Sequence, residues 1–225
     1  MRPQEQVSFN ARQFQQLKNL VAGGESATLE FKRKATFPEK IVREMIAFAN
    51  TKGGILLIGV NDDGTLPGLK HPADELHVME AALGKVRPKL EYEFSLIPVS
   101  NSRTIIQYDI PESKRKPHYL LNSNRSKESF VRVEDKSIKA SRELREIVKR
   151  RQRMKDIRFH YGEHEKFLMQ YLDEKECITV KEFANLSGLG RLYASRKLIL
   201  LVLANVLKIV PNEKGDLYSI RRVKS

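Results

Sequence analysis

Glu25-Ser26-Ala27-Thr28-Leu29-Glu30-Phe31-Lys32, followed by Ala47-Phe48-Ala49-Asn50-Thr51-Lys52-Gly53-Gly54-Ile55-Leu56-Leu57-Ile58-Gly59-Val60-Asn61-Asp62-Asp63-Gly64, is the part of the chain from which its fold is read. Ala27, Leu29 and Phe31 alternate with Thr28, Glu30 and Lys32, the period of a half-buried strand. From Glu39 to Asn50, the residues Ile41, Val42, Met45, Ile46 and Ala49 recur at helical spacing and define one apolar face. Gly53-Gly54 ends that helix where positive φ costs little, and Ile55 to Val60 is an almost unbroken apolar strand. Asn61-Asp62-Asp63-Gly64 has the composition of a closing turn. The unit is strand, helix, strand, and it sets three carboxylates, Glu25, Glu30 and Asp62, near its ends.

Outward from this core, residues 1–20 are Gln-rich and predict an N-terminal arm or docking helix. Leu76, Met79, Leu83 and Val86 mark a helix that stops before Pro88. Glu91–Val99 and Arg103–Ile110 predict a hairpin across Ser100-Asn101-Ser102, and further strands flank the polar turn at 122–127. Ser137 or Ser141 is placed to cap a basic helix leaving the domain. Beyond Gly162 the pattern becomes short helices and a hairpin. Phe167, Leu168, Tyr171 and Leu172 line one helix; Thr179-Val180-Lys181-Glu182 is a capping box; Leu192, Leu198, Leu201 and Val202 line another. Val206–Val210 and Leu217–Ile220 close as a hairpin, and the order resembles a winged helix-turn-helix. The expected fold is α+β: a mixed β-sheet with packed helices over 21–148, a basic linker helix over 149–161, and a small winged helix-turn-helix over 162–225.

The chain has 225 residues, a net charge of +13 and a pI near 9.8. Between Lys136 and Arg158, ten Lys and Arg face only three acids, so over half of the excess charge lies on one short segment. Runs of charge are ordinarily solvated helix faces. A density this high repels itself unless an anion is expected, which favours nucleic acid. The single cysteine, Cys177, excludes an internal disulfide, and no Cys/His spacing suits structural zinc. The longest apolar run, Leu198 to Leu207, is too short to span a bilayer, and the start lacks a signal peptide's apolar segment. A cytoplasmic protein without a membrane partner is expected.

The E-x4-E-F-K, A-F-A-N-T-x-G-G and G-V-x-D-x-G pieces at 25–32, 47–54 and 59–64 resemble the AlbA-like domain of the Schlafen family, a nucleic-acid-binding domain widespread in bacteria. The likeness extends to Ile110-Pro111-Glu112-Ser113, Pro117-His118-Tyr119 and Phe130-Val131-Arg132-Val133, and covers roughly 20–148. In mammalian Schlafens the matching carboxylates cleave RNA with a metal ion. The resemblance therefore implies that Glu25, Glu30 and Asp62, with Asp63 as a substitute for Asp62, hold Mg²⁺ or Mn²⁺. Three carboxylates can bind such an ion with water left over, polarising a phosphoryl oxygen. The bland reading is a strand-face glutamate and a turn aspartate bonding its own backbone. Lys32, Arg33, Lys114, Arg115 and Arg132 match basic positions of the pattern and are expected to hold phosphate, as Lys34 and Lys116 would unless they serve solubility. His118 and Tyr119 would touch a base or sugar, or simply pack.

Lys149, Arg150, Arg151 and Arg153 of the basic segment are expected to grip phosphate. Arg191, Arg196 and Lys197 fall on the recognition helix and Lys214 in the wing. A homodimer through the same module is the competing use of that fold. The function expected is DNA binding, regulating transcription; the alternative is a metal-dependent endoribonuclease acting on structured RNA such as tRNA. A nucleotide cofactor is not expected, since Lys52-Gly53-Gly54 lacks the G-x4-G-K-[ST] frame.

Overall fold

The computed structural model describes residues 10–122, 124, 126–152 and 159–222. The chain divides into two compact units, 1–137 and 138–225.

In the first unit, α1 (Ala11–Val21) is followed by β1 (Leu29–Lys32), α2 (Pro38–Asn50) and β2 (Gly54–Ile58). Next come α3 (Pro72–Leu83), β3 (Val86–Arg87), β4 (Glu93–Ser100) and β5 (Arg103–Ile110). Then follow β6 (Tyr119–Leu121), β7 (Lys127–Glu128) and β8 (Phe130–Val133), before β9 (Lys136–Lys139) crosses the boundary. The main sheet runs β1-β2-β5-β4. β1 and β2 are parallel, joined by α2, and the other two pairings are antiparallel. A second sheet runs β3-β6-β7.

β2 is apolar along its length because the sheet is covered on both faces. Leu56 and Ile58 join Ile41, Met45, Ile46 and Phe48 of α2 and Met79 of α3 in one cluster. Leu57 joins Leu29, Phe31 and Ile105 in another, with Leu17 and Val21 of α1. The Gln-rich arm is thus in part a packed helix: Leu17 and Val21, one turn apart, bury its inner face. Because Leu29 and Phe31 face α1, period-two alternation sends Glu30 to the α2 side.

The A-F-A-N-T-x-G-G segment is a clamp. Asn50, buried, accepts through Oδ1 from His118 N–H at 2.8 Å and donates through Nδ2 to Ser129 Oγ at 3.0 Å and Phe130 O at 2.9 Å. Thr51 Oγ1 accepts from Arg132 N–H at 2.9 Å. Gly53 has φ +76°, and a Cβ there would meet Ile110 O at 2.7 Å and Glu112 N at 2.8 Å, so only glycine fits. Asn50 and Thr51 thereby fix where β8 lies, and β8 carries Arg132.

The second unit holds α4 (Arg142–Arg151), α5 (Glu163–Lys175), α6 (Val180–Ser187), α7 (Arg191–Leu203), β10 (Leu207–Val210) and β11 (Leu217–Ile220). Ser141, not Ser137, caps α4, its hydroxyl accepting from Leu144 N–H at 3.0 Å. Thr179 and Glu182 cap α6 reciprocally, Thr179 Oγ1 accepting from Glu182 N–H at 3.2 Å. α6 ends at Gly188 with φ +70°. Phe183, Ala194, Leu198, Val202, Leu207 and Tyr218 form one core, and Ile147 of α4 is buried in it. Ile147, expected in the first domain, thus packs α4 into the second unit, and α4 reaches into the linker expected over 149–161 only as far as Arg151. β10 and β11 pair antiparallel, and Ile178 bridges to Tyr218 beside them.

Candidate functional site

Glu30 on β1 is 5% exposed and meets two cations. Arg132 Nη2 donates to its Oε2 at 2.6 Å, and Lys32 Nζ donates to Oε1. The Arg132 side chain, 1% exposed, also donates through Nη1 to Glu44 Oε2 at 2.8 Å and through Nη2 to Ser26 O at 3.0 Å. Its guanidinium lies 5.0 Å from the Phe48 ring centroid. Ser137 donates its hydroxyl proton to Glu44. The two carboxylates thus face two cations, the buried Arg132 and the half-buried Lys32, and Ser137 gives Glu44 a further donor, as burial of charge requires.

Glu25 stands at the edge of this set. Its Oε1 accepts from Phe31 N–H at 2.8 Å, with Lys32 Nζ at 3.9 Å. Burial raises its pKa, and the negative charges of Glu30 and Asp62 add to the rise against the Phe31 N–H and Lys32. Glu44 is raised too, by burial first and by Glu30, while the Ser137 hydroxyl and Arg132 pull it back. Asp62 is exposed. Asp63 is a turn residue: Oδ1 accepts from Thr65 N–H at 2.9 Å and Thr65 Oγ1 at 2.6 Å, which lowers its pKa.

Glu25 therefore feels the charge of Glu30 and Asp62, but the three do not form the metal cage implied by the resemblance. Both oxygens of Glu30 are engaged by Arg132 and Lys32, and no group of three His, Cys, Asp or Glu side chains is placed to hold a metal among the described residues. The donor set does not fit an ion as it stands. Arg132 and Lys32, expected on phosphate, are instead spent on Glu30 and Glu44; reach to a ligand is closed for Arg132 by its burial. Glu44 completes the network, and no sequence motif singles it out. Its signal is positional, since it lies three residues after Ile41 and four before Phe48, on the buried side of α2.

His118 also packs. It is 1% exposed, with Nδ1 2.9 Å from Pro88 O and Nε2 2.7 Å from Ser113 Oγ, and burial lowers its pKa. Lys116 is tied to Glu112, while Arg33, Lys34, Lys114 and Arg115 are exposed. A cavity of about 590 Å³ in the first unit includes Glu91, Glu93, Asp109 and Lys52 in its wall, an acidic balance that does not suit phosphate.

In the second unit, Lys149 and Arg151 are exposed at the end of α4 with Arg150 half-buried; Arg153 lies outside the described residues. Arg151 is exposed, yet the protein packed around it and, second, the charge of Arg221 both disfavour its cation and lower its pKa. Arg191 and Arg196 are exposed on α7. Lys197 is not available, because its Nζ donates to the buried Glu165 Oε1 at 2.5 Å. Burial opposes ionisation of Glu165, but Lys197 and the Gly162 N–H outweigh it and hold its pKa low. Lys214 stands in the β10–β11 turn. No helix among the described residues is long and apolar enough to cross a membrane.

The family model described as Schlafen, AlbA_2 matches residues 25–141, just over half of the chain. No curated protein matches. Among solved structures, the N-terminal domain of a RecG-related protein from Nitrosomonas europaea is similar at 26% identity, covering 49% of this chain and 81% of that one, with a TM-score of 0.40. The DIP2311 protein from Corynebacterium diphtheriae is similar at 14% identity and a TM-score of 0.43, covering 93% of this chain but only 38% of that one.

Proposed function

We propose that this chain, which belongs to the Schlafen AlbA_2 family, binds nucleic acid, DNA first of all, and regulates transcription through a winged helix-turn-helix in its second unit. The observation that carries this reading is the crowding of cations there. Lys149, Arg150 and Arg151 stand together at the end of α4, and burial first and the charge of Arg221 second disfavour the Arg151 cation. Mutual repulsion of this kind costs stability in the free protein and is relieved by a polyanion. The order α5, α6, Gly188 turn, α7, β10, β11 supports a helix-turn-helix followed by a wing. Arg191 and Arg196 at the start of α7 would face base edges or phosphate, and Lys214 the flanking backbone. In the first unit, exposed Arg33, Lys34, Lys114 and Arg115 would add sequence-independent contacts.

A metal-dependent ribonuclease is the weaker reading, because both oxygens of the Glu30 carboxylate are already engaged by Arg132 and Lys32. Gel-shift titration of the full chain with duplex DNA and with tRNA, with and without Mn²⁺, tests the choice. Retarded complexes that need no metal, with intact RNA, are expected. Mn²⁺-dependent cleavage that Glu30→Gln abolishes would replace DNA binding by the nuclease reading.

A further inference from the structure

Beside α7 lies a second cavity, of about 280 Å³, lined by Phe159, His160, Glu165, Tyr193, Arg196 and Lys197. Its volume falls at or just below the lower limit of ordinary small-molecule sites, roughly 300 Å³, so it suits a single ring system. Its chemistry is narrow. Glu165 and Lys197 neutralise each other in the wall, so they leave no net charge. Arg196, exposed, contributes a positive charge that nothing else in the lining cancels. Phe159, His160 and Tyr193 supply three planar rings, and Tyr193 is 61% exposed despite its size. Tyr193 thus stands open beside an arginine, and single-stranded nucleic acids are held by base stacking on such rings with cations on the backbone.

We infer that this cleft takes one unpaired base of a bound nucleic-acid strand, with Tyr193 as the stacking surface and Arg196 on the adjoining phosphate. This deepens the nucleic-acid reading above and rests on it. The base is read by its π-face, so the site tolerates different bases and rejects a paired one, whose face is already covered by its neighbours. A duplex that carries an unpaired segment is therefore bound more tightly than a fully paired one of the same length.

The test uses the full chain and fluorescence anisotropy of a labelled oligothymidylate, set beside an abasic strand of the same length and a duplex. Wild type is expected to bind the intact strand more tightly than the abasic one. Tyr193→Ala should weaken the intact strand on the order of tenfold and leave the abasic strand unchanged, while Tyr193→Phe retains wild-type affinity. Arg196→Gln should weaken both strands alike. Equal loss on both strands with Tyr193→Ala, or loss on neither, overturns the inference. So does competition by free AMP at concentrations that do not displace the strand's phosphate contacts, since it would assign the cleft to a soluble nucleotide. If wild type binds none of the three probes, the nucleic-acid reading itself fails, an outcome distinct from equal affinity for intact and abasic strands. Because Tyr193 is exposed, an unchanged melting temperature should accompany each variant at that position.

Discussion

Replacing Arg132 by Met should cost the first unit more stability than any single loss of a surface charge. The guanidinium has 1% side-chain exposure and holds Glu30 at 2.6 Å and Glu44 at 2.8 Å. Removing one partner of a buried pair costs about 3–5 kcal/mol, because the remaining charge is left without its counterion. Lys32 stays with Glu30 and Ser137 with Glu44, which places the expected loss near the lower end, about 3 kcal/mol. For a unit of this size that is roughly a 10 °C fall in melting temperature, followed by circular dichroism.

The loss should also depend on pH in a direction fixed by Glu44. Burial already holds its pKa above the ordinary value, and Arg132 is one of the groups that pull it down. Without Arg132 the native carboxyl binds its proton more tightly still. Native Glu44 then takes up a proton at a pH where the unfolded carboxyl has not, so stability is regained as pH falls toward the unfolded value, about 4.3. The deficit of the variant is largest at pH 7–8 and narrows toward pH 5. A second substitution, Glu44→Gln, should restore part of it by deleting the carboxylate that Arg132 alone was paired with. A deficit below about 1 kcal/mol, or one constant from pH 5 to 8, would refute the reasoning, since a neutral packing role predicts no pH term.

Burial of Glu25 and Glu44 favours wild type on mild acidification while burial of His118 opposes it, so Glu44→Gln should make the change in stability from pH 7.5 to 5.5 less favourable than in wild type; urea titrations read this, and identical profiles would contradict it. Gly53→Ala should destabilise the first unit by more than about 1 kcal/mol, roughly the cost of a strained left-handed residue, with the clash against Ile110 O added; thermal melts check it. Thr179→Ala should remove the α6 capping box at about 1 kcal/mol, visible as an earlier melt of the second unit.

The strand–helix–strand unit is legible in the sequence because its two periods, near two and near 3.6, are local, and the unbroken apolar run of β2 records cover on both faces. The same holds for the Thr179 capping box, whose two members are three residues apart. What spacing cannot carry is pairing across the chain. Glu30 and Arg132 lie 102 positions apart, and Lys197 and Glu165 lie 32 apart. Reading either cation alone suggests phosphate; only the fold shows the carboxylate that claims it. The basic helix is legible as a charge run, but the burial of Ile147 in the second unit's core follows from packing with α7 that no local pattern announces. Asp63 is a turn residue by composition, and Thr65 makes it one.

If the second unit's cations hold nucleic-acid phosphate, DNA binding must weaken steeply with salt. The slope of log Kobs against log salt should be negative and linear for wild type. Replacing Lys149, Arg150 and Arg151 together by Gln should make it shallower by roughly 0.9 for each phosphate no longer neutralised, about three phosphates at most. Weaker binding with that shallower slope is the predicted result. An unchanged slope and affinity would show that these cations form only a solvated surface and would contradict the account.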